Sequence, residues 1–101
     1  MIVGSAATHQ IAALLVDELN KAPTEIETLL VQGSRKEAAR RAHSLAGAAA
    51  SLGYSKVADA SRRLEADLRE TPVKFIDLSE LFEAAQNARE SLERVIAALK
   101  S

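Results

Sequence analysis

Apolar side chains recur at three- and four-residue steps along nearly the whole chain, and most of them are alanine or leucine. That repeat is the period of a helix face, so the chain can bury its apolar residues together only by forming amphipathic helices. Twenty Ala and thirteen Leu stand against two Phe, one Tyr and no Trp, a balance that favours close-packed helices over sheets. With 101 residues there is material for one small domain and one core, and a two-domain enzyme is excluded. Two Pro and four Gly leave little for β-turns.

Ile11, Leu15, Leu19, Ala22, Ile26 and Leu29 set the first stripe, which keeps its phase through Pro23. Proline removes a backbone donor and crowds the carbonyl of Leu19, so this element is expected to be one bent helix over residues 8–32 or two nearly collinear ones. Gly33 ends it, and Ser34-Arg35-Lys36-Glu37 reads as a capping box opening a second helix over 35–52. Gly53 suits a left-handed cap. Ser55 is placed to cap a third helix carrying Val57, Ala60, Leu64 and Leu68, ending near Glu70. After Thr71-Pro72-Val73, a second capping box, Asp77-Leu78-Ser79-Glu80, leads into Leu78, Leu81, Phe82, Ala85, Ala88, Leu92, Val95, Ile96 and Leu99. Short links between four helices predict an all-α, antiparallel up-and-down four-helix bundle, with the first helix bent or split at Pro23, as a single domain over 1–101.

The formal net charge of −1 describes an ordinary surface overall, yet the bases concentrate in residues 35–63, flanked by acidic thirds. An anionic partner would be drawn to that middle segment. Sparse aromatics and the negative balance argue against nucleic-acid binding. Absence of Cys fits a reducing compartment, no apolar run approaches a membrane span, and no signal peptide is evident, so a cytoplasmic location is expected. His9 and His43 share no ligand spacing, so no metal site is expected. His9 reads as a surface residue, and Tyr54 as a packing or edge residue.

Helix two holds the arrangement that a purely structural domain does not need. Advancing about 100° per residue from His43, Ala38, Leu45, Ala49 and Leu52 fall between roughly 180° and 240°, the core side. His43 points away from them. Lys36, Ala39, Arg40, Ala46, Gly47, Ala50 and Tyr54 share its face, so the imidazole is expected among small side chains, with bases one and two turns upstream. Gly47 in mid-helix costs about 1 kcal/mol relative to Ala, which clearance for an incoming group beside the ring would explain. A neutral imidazole can take a group as nucleophile near neutral pH and release it later. A phosphoryl group so carried needs cationic compensation, for which Lys36 and Arg40 are the local candidates and Lys56, Arg62 or Arg63 of the next helix are further ones.

The stretch Ala42-His43-Ser44-Leu45-Ala46-Gly47-Ala48-Ala49-Ala50-Ser51-Leu52-Gly53 resembles the signature of histidine-containing phosphotransfer (HPt) domains, approximately His-x-Leu-Lys-Gly, small residues, then Leu-Gly. Leu64-Glu65 matches the Leu-Glu common on the following helix. The resemblance implies a phosphorelay intermediate in which His43 accepts a phosphoryl group and exchanges it with the Asp of a response-regulator receiver domain, or takes it from a histidine kinase. It implies Gly47 as ring clearance, Ala39, Ala46, Gly47 and Ala50 as the docking face, and Leu45 and Leu52 as core anchors. No ATP-binding motif is present, so no cofactor is expected in this chain and Mg²⁺ would come with the partner. Ala46 departs from the family's usual Lys, a loss for which Arg40 is the candidate substitute. Two further readings follow: a receiver-docking module that no longer transfers, and the excised phosphorylation domain of a larger histidine kinase. A structural or dimerising bundle would need an extra apolar stripe, and the expectation is a monomer.

Overall fold

A computed structural model describes the backbone of residues 5–70 and 75–99, with side chains from Gln10 onward. It contains four helices, α1 (Ser5–Val31), α2 (Arg35–Ser51), α3 (Ser55–Arg69) and α4 (Ser79–Leu99), and no strand among the described residues. Each helix packs on two neighbours, α1 on α2, α2 on α3, α3 on α4 and α4 on α1, and among the described residues the diagonal pairs do not meet. This closed ring of neighbours is the expected up-and-down bundle, drawn out to 51 × 21 × 20 Å. The Thr71-Pro72-Val73 interruption and the side chain of His9 lie outside the described residues.

Residues of the four stripes meet in the core: Leu15, Leu19, Ala22 and Ile26 from α1, Ala38, Leu45 and Ala49 from α2, Val57, Ala60, Leu64 and Leu68 from α3, and Leu81, Ala85, Ala88 and Leu92 from α4. Of the alternatives at Pro23, the structure takes a single helix, which runs through the proline without a break. Pro23 is fully buried beside Ala22 and Ile26, and its neighbours' packing offsets the lost backbone bond.

Expected core positions fail where the bundle runs out of cover. Arg41 of α2 bonds both Glu18 and Glu25 of α1, so α2, ten residues further on, ends about level with residue 12. Ile11 therefore stands 51% exposed at the edge of that cover, and Leu52, at the end of α2, is 42% exposed rather than a core anchor. Val95 and Leu99 of α4 are exposed too, as is Phe82.

The turns keep the glycines but not the capping boxes. Gly33 and Gly53 have φ of +77° and +82°, and each completes a paired closure of the preceding helix: Ser34 N–H to the Leu29 carbonyl with Gly33 N–H to Leu30, and Tyr54 N–H to Ala49 with Gly53 N–H to Ala50. The Ser34 side chain makes no capping bond, and the reciprocal half of the box does not form because the Ser34 N–H is given to Leu29 and Glu37 turns to Arg40. Tyr54, not Ser55, is the cap residue of α3, again without a side-chain bond. At α4 the Asp77 carboxylate accepts from the Ser79 amide (2.9 Å) and hydroxyl (2.7 Å), which hold it below the usual carboxylate range, while Glu80 pairs with Arg63.

Gly47 differs from the turn glycines. It has no positive φ, and a Cβ built there meets nothing within 4 Å. Opposite effects are expected at two glycines. Gly53→Ala should destabilise the fold by about 1 kcal/mol or more through its left-handed backbone. Gly47→Ala should stabilise it by up to about 1 kcal/mol. Urea unfolding checks both, and shifts of the same sign would contradict this account.

Candidate functional site

The most extensive contact in the bundle is between α2 and α3. Its buried residues are mostly small: Ala39, Ala42 and Ala46 on α2, Ala58 and Ser61 on α3. Short side chains let two helix axes approach closely, and they keep the groove between them shallow. Ser61 fits this role by size, since its fully buried hydroxyl has no hydrogen-bond partner. His43 lies one turn from Ala39 and from Ala46 along the outer edge of that contact, and Glu65 lies one turn beyond Ser61 on the facing helix.

Across this edge His43 Nδ1 and Glu65 Oε1 are 3.0 Å apart. The imidazole side chain is 74% exposed, whereas that of Glu65 is only 18% exposed. The other carboxylate oxygen, Oε2, accepts from Arg69 Nε at 3.0 Å. Burial opposes ionisation of Glu65, but the hydrogen bonds from His43 and Arg69 outweigh it and hold the carboxyl below its ordinary range. An ionised carboxylate can only accept, so Nδ1 must donate and carry the proton. In the neutral ring the lone pair is then on Nε2, the nitrogen turned from the carboxylate. The arrangement is an exposed imidazole held in one tautomer by a neighbouring carboxylate.

Structure redistributes the other candidate residues. Gly47 and Ala50 are exposed on the face of His43, as expected. Ala39 and Ala46 are not available there: they are 1% and 3% exposed, because their flank of α2 is the one that packs toward α3. Lys36 is exposed and has no ion-pair partner among the described residues. Arg40 bonds Glu37, one turn further from the ring, and neither base bonds to His43. Tyr54 is half-buried against the core, a packing residue.

The basic middle segment is also less free than its sequence implies. Arg41 is gripped by both oxygens of Glu18 (2.6 and 2.7 Å) and by Glu25 (2.9 Å), which together hold its guanidinium above the ordinary value despite partial burial. Arg62 pairs with Asp59, Arg63 with Glu80, and Arg35 donates to the Asp67 carbonyl. Most of these bases hold the helices to one another or to themselves.

Glu65 and Arg69 are the site residues that spacing on α2 could not reveal, since they act from another helix. The signal for them lay in the Leu64-Glu65 pair, with Leu64 on the buried stripe and Glu65 therefore turned toward its flank, and in the Glu65-Arg69 step of four.

Among the described residues no group of three or more His, Cys, Asp or Glu is placed to hold a metal ion, and no helix is long and apolar enough to cross a membrane. No curated protein and no solved structure matches the chain. The family model of the Hpt domain matches residues 10–100, which takes in all of α2, α3 and α4, His43 and Glu65. An exposed histidine held by a carboxylate on a four-helix bundle is thus found in a chain that belongs to the Hpt domain family, the phosphotransfer domains that work with histidine kinases and response regulators in two-component signalling.

Proposed function

We propose that this domain is a phosphorelay intermediate that accepts a phosphoryl group on His43 Nε2 and exchanges it with the Asp of a receiver domain. The observation that carries the reading is the 3.0 Å bond between Nδ1 and Glu65, which in the neutral ring leaves the lone pair on Nε2 of an exposed side chain. In the transfer the Nε2 lone pair forms the N–P bond as the bond from phosphorus to the aspartyl oxygen breaks, and the released carboxylate keeps that electron pair. Nδ1 retains its proton, so the ring gains positive charge in the transition state. Glu65 opposes that charge at short range and asks for no proton movement at the moment of reaction.

The chain supplies the nucleophile and its tautomer, and little else that transfer requires. Metal chemistry belongs to the receiver side, where Mg²⁺ would neutralise phosphoryl oxygens, with Lys36 and Arg40 as the local bases of α2. Gly47 and Ala50 keep the approach to His43 low, and the receiver docks over this face. A cytoplasmic site of action goes with that partner.

A docking module without transfer is the second reading, favoured by the uncharged, buried Ala46 and by the engagement of Arg40 with Glu37. The two part on one comparison. Incubation with a phosphorylated receiver should place acid-labile, alkali-stable phosphate on the wild-type protein and none on His43→Gln. Equal labelling of both would remove His43 from the reaction, whereas receiver binding without labelling of either would favour the docking module.

The docking face has its own test. Gly47→Arg and Ala50→Glu should reduce transfer at least tenfold while the circular dichroism of the helices is unchanged. Normal transfer by both variants would place the receiver elsewhere.

A further inference from the structure

His43 owes its tautomer to Glu65, but a glutamate side chain has three rotatable bonds and gains freedom by turning into water. Something must commit one of its oxygens to the imidazole. Among the described residues Arg69 is the one cation joined to the ring through a continuous chain of hydrogen bonds: His43 Nδ1 to Glu65 Oε1, and Glu65 Oε2 to Arg69 Nε, each 3.0 Å. Each carboxylate oxygen has a single partner, and the two partners come from different helices. We propose that Arg69 is a positioning residue for His43, acting through Glu65: it fixes the carboxylate rotamer so that Oε1 faces Nδ1. This inference rests on the reading of His43 as the phosphoryl acceptor.

Chemistry gives the clamp a second consequence. As Nε2 bonds to phosphorus the ring becomes cationic, and its Nδ1 proton becomes acidic enough to move to a carboxylate of ordinary basicity. A guanidinium on the far oxygen lowers that basicity, so the proton stays on Nδ1 and the ion pair is preserved. On α2, Arg40 is on Glu37, position 46 is a buried alanine, and Lys36, unpaired among the described residues, bonds to neither Glu65 nor His43.

A Glu-Arg pair four residues apart in the last turn of a helix also has a plain structural role, worth a few tenths of a kcal/mol. The tests separate the two. Nitrogen NMR of the isolated protein, at a pH well above the ordinary imidazole value of about 6.5, reads the His43 tautomer directly. The wild type should be mainly Nδ1–H; Arg69→Ala should shift population to Nε2–H, Arg69→Lys should restore part of it, and Arg62→Ala, which breaks an ion pair of the same helix, should not change it. An unchanged tautomer in Arg69→Ala overturns the proposal.

Phosphoramidate provides a receiver-independent rate, its P–N bond breaking with loss of ammonia as the bond to Nε2 forms. Arg69→Ala should slow this labelling by about three- to tenfold, and should slow it no further in a Glu65→Ala background. A full additional loss in that background would mean that Arg69 acts without Glu65, and would also overturn the proposal. Failure of exchange with a receiver would undo the proposed function while leaving the tautomer result standing, so the two failures are distinguishable.

Discussion

The close packing of α2 on α3 is the constraint on which the site depends. Alanines at 39, 42 and 46 and the small residues Ala58 and Ser61 bring the two backbones near enough for a histidine at the edge of one helix to reach a glutamate on the next. Larger residues in those rows would widen the gap, and the 3.0 Å bond that sets the tautomer would be lost. The cost of this design appears at Ser61, whose buried hydroxyl has no partner, and in a core with few large side chains. Overpacking such a contact is destabilising because neither helix can move without its outer neighbour, α1 or α4.

Electrostatics divides between holding the bundle and serving the site. Arg41, the most firmly held base, ties α2 to α1 through Glu18 and Glu25. That bridge faces the opposite flank of α2 from Glu65, so the helix that bears His43 is fixed on both sides, by an ion-pair cluster toward α1 and by small-residue packing toward α3. Both contacts oppose a roll of α2 that would carry His43 away from Glu65. The local excess of bases in residues 35–63 mostly meets carboxylates of the same fold, and Gly47, Ala50, Lys36, the Glu37-paired Arg40 and the ring itself are exposed on that face.

Much of the architecture was legible because helix period and glycine chemistry are local. The buried stripes of α3 and α4 and the closures at Gly33 and Gly53 follow from positions a few residues apart. Three features were not legible. The relative reach of the helices decides that Ile11 and Leu52 are uncovered, and that depends on where α2 stops against α1. The capping boxes at Ser34 and Asp77 fail in part because Glu37 and Glu80 find arginines, competition that a four-residue motif cannot express. The flank on which α3 packs turns Ala39 and Ala46 from exposed positions into core. On α2 alone His43 looked like a histidine with two bases upstream; in three dimensions its hydrogen-bond partner is a carboxylate of α3, which fixes the ring's tautomer.

In the proposed relay the two ring nitrogens have different tasks, Nδ1 bonded to Glu65 and Nε2 taking phosphorus. A phosphorus–nitrogen correlation spectrum of the phosphorylated protein with a labelled histidine ring tests it most directly. Phosphorus coupled to Nε2, with Nδ1 still protonated and hydrogen-bonded, is the predicted result. Phosphorus on Nδ1, the nitrogen that the structure occupies with Glu65, would contradict the account.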